Sequence, residues 1–159
     1  MTAVPFEQVV TDHGAVVWRV CRAVVGPVDA DDAWSETFLA ALQAYPRLRP
    51  GSDVRGWLVT IAHRKAIDRH RIAARQPVPL DELPDSAVHD LPDPADDDLW
   101  RSVRSLPDKQ RAAVAYRYVA DLTYVDIGRI LGTSEAAARR SAADGVASLR
   151  RRHLQEATP

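Results

Sequence analysis

The chain has 159 residues, with 21 basic side chains against 22 acidic ones and a formal net charge of −1. At 46% apolar and 27% charged, its composition is that of a globular protein, which excludes a disordered chain and a polyelectrolyte tail. The length admits one ordinary domain or two small ones.

Helical periodicity dominates from the start of the chain. Phe6, Val9, Val10, His13, Val16, Val17, Val20, Cys21 and Val24 recur at the spacing of three to four that puts them on one helix face, and Gly26-Pro27 ends the run. A second helix over about 30–44 aligns Trp34, Phe38, Ala41 and Leu42, and Tyr45-Pro46 closes it because the residue before proline disfavours helical backbone. A third, over about 53–74, stacks Val54, Trp57, Leu58, Ile61 and Ala62, while Ile67 falls off that stripe. Beyond residue 99, Leu106-Pro107 opens a helix along which Val114, Tyr118 and Leu122 keep i, i+4 spacing. Thr123 through Asp126 reads as a capping box with Asp in place of Glu, starting a helix that carries Ile127, Ile130 and Leu131. Gly132 supplies a turn, and Thr133 or Ser134 caps a last helix running to about Arg152. Helix, tight turn, helix is the pattern whose second helix enters the DNA major groove, although paired core helices share it. No strand alternation and no glycine-rich phosphate loop appears, so the predicted class is all-α.

Charge is distributed unevenly along this framework. Residues 1–56 carry a net −2, residues 57–76 a net +4, residues 77–99 a net −8 with no basic residue, and residues 100–159 a net +5. The acidic piece also holds five of the eleven prolines, which with like-charge repulsion predicts an extended linker between two small helical domains, 1–76 and 100–159. Nineteen of the basic residues are Arg, the side chain whose fork suits phosphates and guanines. One cysteine, Cys21, and five scattered histidines support no disulfide, metal site or cofactor site. His63 and His70 share nearly one helix face without a third ligand. The start of the chain has no leader pattern, and no apolar run reaches membrane-spanning length, so a soluble cytoplasmic protein without membrane insertion is expected.

Two stretches resemble a known family. Asp29-Ala-Asp-Asp-Ala-Trp-Ser-Glu-Thr-Phe-Leu39 with Val54-Arg-Gly-Trp-Leu-Val-Thr-Ile-Ala-His-Arg-Lys-Ala-Ile-Asp-Arg-His-Arg71 is similar to the second region of bacterial RNA polymerase sigma-70 factors, in the small extracytoplasmic-function class. Leu106-Pro-Asp-Lys-Gln-Arg111, Leu122-Thr-Tyr-Val-Asp-Ile-Gly-Arg-Ile-Leu-Gly132 and the helix after it resemble the fourth region. The resemblance implies docking of Asp32, Glu36 and Phe38 on core polymerase, which offers its β and β′ subunits, and contact of Arg55, His63, Arg64, Lys65, Arg69 and Arg71 with the −10 promoter element. The loop Pro46–Asp53 falls where the family builds a base pocket. The last helix corresponds to the one that reads the −35 element, with Ser134, Glu135, Arg139 and Arg140 as its candidates. Ser141 and Asp144 stand there where arginines are common, Gly145 interrupts the helix, and Arg64 stands where the family often has Asn.

The implied function is that of a promoter-specificity subunit, not an enzyme, with core polymerase, promoter DNA and an anti-sigma factor as partners. In the family the linker threads toward the polymerase active centre, where an acidic strand could mimic nucleic acid. Two alternatives stay open: a stand-alone helix-turn-helix regulator, which leaves the first domain without a task, and a sigma-like protein of weak DNA binding that titrates an anti-sigma factor or polymerase.

Overall fold

The computed structural model describes residues 4–75 and 94–158, and every regular element among them is helical. The chain divides into two units, Met1–Ser86 and Ala87–Pro159. Residues 77–93 of the acidic stretch lie outside the described residues.

The first unit is a bundle of α1 (Phe6–Val25), α2 (Ala30–Ala44) and α3 (Val54–Arg75), each packed on the other two. Its core joins Val9, Val17 and Cys21 of α1 to Ala33, Phe38 and Ala41 of α2 and to Leu58, Ile61 and Ala62 of α3. Fully burying a side chain of the Val, Leu or Phe kind contributes about 1.5–3 kcal/mol, so this seam holds the bundle. Two indoles tie α1 to α2 by their polar edges: Trp18 Nε1 donates to the Asp31 carboxylate at 2.9 Å, and Trp34 Nε1 to the Gly14 carbonyl at 2.9 Å. Burial pushes the Cys21 thiol up to about 12, which leaves it a packing residue. A short 3₁₀ turn, Tyr45–Arg47, leads from α2 into the loop before α3. The Asp53 carboxylate accepts the Gly56 N–H at 3.2 Å, which caps the start of α3.

The second unit contains α4 (Pro94–Arg104), α5 (Asp108–Val114), α6 (Tyr124–Leu131) and α7 (Glu135–Glu156). Helix α4 begins inside the stretch that composition assigned to the linker. Proline at a first helical position costs nothing, because its fixed φ suits a helix and its missing N–H has no intrahelical acceptor there. The chain after α5 makes a π turn, Ala115–Val119, in which the Ala120 N–H reaches the Ala115 carbonyl at 3.2 Å. This wider turn moves the following side chains off the α-helical register. Tyr116 is fully buried, whereas Tyr118, which i, i+4 spacing had aligned with Val114 and Leu122, is 62% exposed.

Helix α7 lies against α5 and α6 through the small residues Ala138, Ala142 and Gly145. A Cβ at Gly145 would sit 2.6 Å from Val114 Cγ2. The mid-helix glycine, which costs about 1 kcal/mol relative to Ala in propensity, is thus the condition for the close approach of α5 and α7.

Candidate nucleic-acid interface and docking face

On α2, Asp32, Ser35, Leu39 and Gln43 are exposed along one ridge, with Glu36 half-buried beside it. Phe38 is not part of it. Only 6% exposed, it packs its ring 4.6 Å from that of Trp34 and 6.4 Å from that of Phe6. Of the docking trio, Phe38 thus lies in the core, because positions 34, 38 and 41 all turn inward. The exposed apolar residues are Leu39, at 62%, and Leu42, at 51%, which the apolar stripe had placed inside. Leu39 carried a usable signal, since it falls off the stripe of Trp34, Phe38 and Ala41.

Arg69 of α3 reaches across to this ridge. Its guanidinium lies 2.8 Å from Glu36, 3.3 Å from Asp29 and 3.6 Å from Asp32, with its side chain 22% exposed. The candidate −10 cation and the candidate docking carboxylates are therefore one ion-pair cluster tying α2 to α3. Arg69 thus points at protein anions of its own unit.

The outward face of α3 carries Arg64, Ile67, Asp68 and Arg71, with His70 at its margin and Lys65 half-buried. Ile67, unexplained by the sequence pattern, sits between the two exposed arginines in the helical register and is 37% exposed. His63 is half-buried, and burial lowers its pKa from the ordinary histidine value. Burial thus disfavours its charged form. Arg55 is half-buried next to His13, whose pKa is lowered by burial first and by the Arg55 charge second. The loop Pro46–Asp53 turns at Gly51 (φ 82°), with Ser52 Oγ donating to the Arg49 carbonyl at 2.6 Å.

In the second unit the turn between α6 and α7 is capped at each step. Thr123 Oγ1 accepts the Asp126 N–H at 3.2 Å at the start of α6. Gly132 takes the left-handed conformation (φ 69°) that ends it. Ser134 Oγ accepts the Ala137 N–H at 3.1 Å at the start of α7. Ser134, not Thr133, is thus the cap, its hydroxyl oxygen accepting from the helix backbone. Away from the buried Ala138 and Ala142, α7 exposes Glu135, Arg139, Arg140 and Asp144. Glu135 pairs with Arg139 at 3.1 Å. Asp144 stands one turn after Arg140 on the exposed surface, and Ser141 is half-buried.

Sequence reasoning missed Tyr124 and Arg117. The Arg139 guanidinium lies 4.6 Å from the centroid of the Tyr124 ring and the Arg117 guanidinium 4.9 Å from it, both within cation–π range. Arg117 is itself held by donating to the Leu122 carbonyl at 3.0 Å. Their separation of seven positions gave no hint, because the π turn sets the geometry.

Residues 9–76 match the model of sigma-70 region 2 and residues 96–149 that of sigma-70 region 4. The chain is 32% identical over 139 residues to the ECF RNA polymerase sigma factor ShbA of Streptomyces griseus, covering 76% of this chain and 73% of that one. It is 31% identical over 154 residues to the RNA polymerase sigma factor CarQ of Myxococcus xanthus, covering 91% and 87%. Its match to the ECF sigma factor SigF of Caulobacter vibrioides, at 32% identity, spans 64% of that relative's length. Among solved structures, the sigma factor RpoE of Bartonella quintana, crystallised with the anti-sigma factor NepR, matches with a TM-score of 0.79 over 97% of this chain and 98% of that one. At 18% identity this is a likeness of fold.

Proposed function

The chain belongs to the sigma-70 family of RNA polymerase sigma factors, in its extracytoplasmic-function class, and from that membership we propose that it binds core polymerase, directs it to promoters through −10 and −35 elements, and promotes melting at the −10 element. It performs no covalent chemistry of its own; the polymerase does. The carrying observation is that one chain pairs an outward ridge with Arg64, Ile67 and Arg71 on α3 with a capped helix-turn-helix exposing Arg139 and Arg140. Opening a duplex is favoured where freed backbone and bases meet cations and apolar surfaces that the duplex lacks, and the α3 ridge has both. Arg139 and Arg140 suit phosphate or guanine, and Glu135 can accept from a cytosine amino group.

The α2 ridge is the proposed polymerase contact. An apolar anchor, Leu39, rimmed by Asp32 and Glu36, fits a basic helix of the polymerase better than an aromatic buried in the core. An anti-sigma factor is the proposed second partner and the cytoplasm the proposed compartment. No helix among the described residues is long and apolar enough to cross a membrane.

In vitro transcription with purified core polymerase on fragmented genomic DNA tests the reading and reveals the promoter. Start sites that require the protein are expected; their absence overturns it. Glu36→Lys with Leu39→Ala is expected to abolish co-purification with core polymerase, and undiminished association would refute the docking face.

One observation favours a second reading. Exposed Asp144 would repel phosphate on the face that carries Arg140, as in a sigma-like protein that binds DNA weakly and titrates an anti-sigma factor or polymerase. That reading predicts core binding without promoter-specific starts in the same experiment.

A further inference from the structure

We infer that Tyr124 is a positioning residue for promoter reading: its ring holds the Arg139 guanidinium where α7 meets a base edge, and Arg117 steadies the same ring. The inference rests on the proposed reading of α7 as the −35 helix and goes beyond it by assigning a residue outside α7.

Three observations carry it. Tyr124 is the first residue of α6, directly after the Thr123 cap, so its backbone is fixed by the turn chemistry. Its ring has two guanidiniums within 5 Å of its centroid, at 4.6 Å for Arg139 and 4.9 Å for Arg117. Arg139 is also anchored by Glu135 at 3.1 Å, and Arg117 by the Leu122 carbonyl at 3.0 Å. A continuous chain of contacts thus runs from the π turn through the Tyr124 ring to the exposed side of α7.

An arginine free in solvent loses much of its rotamer freedom when it docks on a base, and a planar fork already held in place loses less. With one N–H given to Glu135 and its face on the ring, Arg139 keeps further donors for an acceptor pair such as guanine O6 and N7. Two cations near one ring repel each other, and an approaching electronegative groove edge or phosphate relieves that repulsion. Tyr124 need not touch DNA for this; its π face is what the arginines require.

The test uses holoenzyme, the full chain on core polymerase, and a promoter library randomised across the upstream element, with bound sequences counted. An Arg–guanine pair discriminates by about 5- to 150-fold, so Arg139→Ala is expected to lose a preference of that size at one base pair. Tyr124→Leu is expected to lose at least about fivefold at the same base pair. Tyr124→Phe, which keeps the ring, retains the preference, and Tyr124→Leu with Arg139→Ala loses no more than Arg139→Ala alone. A Tyr124→Leu holoenzyme that keeps the preference Arg139→Ala destroys overturns the positioning role and leaves the −35 reading intact. An Arg139→Ala holoenzyme with unchanged preference overturns the −35 contact itself, and the positioning role with it. Should Tyr124→Leu fail to load on polymerase, Tyr124→Met fills similar space without a ring and is read the same way.

Discussion

Arg69 donates to Glu36 at 2.8 Å and to Asp29 at 3.3 Å and lies 3.6 Å from Asp32, and this geometry decides what its charge is for. Hydrogen bonds to charged groups contribute about 1.5–3 kcal/mol when shielded, and exposed ion pairs under about 1 kcal/mol. With the guanidinium only partly shielded, Arg69→Ala is expected to destabilise the first unit by about 1–2 kcal/mol. Urea unfolding followed by tryptophan fluorescence reads this, since Trp18, Trp34 and Trp57 lie in that unit. A double-mutant cycle with Glu36→Gln that returns no coupling would show the pair to be idle. The histidines give a second prediction. Burial lowers the pKa of His63, and burial together with Arg55 lowers that of His13. The unfolded chain therefore binds more protons as pH falls through about 6.5, so this contribution is full above that value and is lost as pH drops toward the native pKa values. The melting temperature should fall between about pH 7.5 and 5.5, and the fall should be shallower in His13→Asn with His63→Asn. An equally steep fall in that variant would exclude these groups. Spacing put Asp32, Glu36 and Arg69 on helix faces, but only packing of α2 on α3 brings them together. A hydrophobic pattern likewise could not tell an aromatic anchor from a core ring at Phe38.

The helices themselves were largely legible, because periodicity, prolines and cap residues act locally. Gly26, Asp53, Thr123, Gly132 and Ser134 all stand at helix boundaries. The π turn was not legible, since the bond from the Leu122 N–H to the Tyr116 carbonyl at 3.0 Å depends on how the chain leaves α5. Asp121, with φ of 56°, takes the left-handed backbone in that exit. The consequence can be measured at two tyrosines two positions apart. Tyr116→Ala empties a fully buried site and should cost about 3–5 kcal/mol, as large-to-small aromatic changes in cores do. Tyr118→Ala removes an exposed ring and should stay within about 0.5 kcal/mol. Thermal unfolding of the full chain followed by circular dichroism at 222 nm distinguishes them. The reverse order of effects would contradict the burial of Tyr116 and the exposure of Tyr118.

At the scale of the whole chain, a net charge of −1 conceals two basic segments, but a segment total is not the charge that meets DNA. The net +4 of residues 57–76 includes Arg69, which faces carboxylates of its own unit, while Arg64 and Arg71 face outward. Removing a cation from one phosphate lowers the slope of log affinity against log salt by about 0.7 for single strands and 0.9 for duplex. Arg64→Ala with Arg71→Ala should therefore reduce the slope of holoenzyme binding to a promoter fragment by about 1.4–1.8. Arg69→Ala should leave that slope unchanged, its charge being already neutralised by Asp29, Asp32 and Glu36. Titrations between about 0.05 and 0.2 M salt resolve the difference, and permanganate reactivity of the opened strand should fall with the first variant. If Arg69→Ala flattened the slope as much as the outward pair, the cation would have to leave its carboxylates on the promoter, and the ridge of Arg64 and Arg71 would be the wrong surface. The position of a charge relative to its protein partners, not its sign in the sequence, sets its contribution to counterion release.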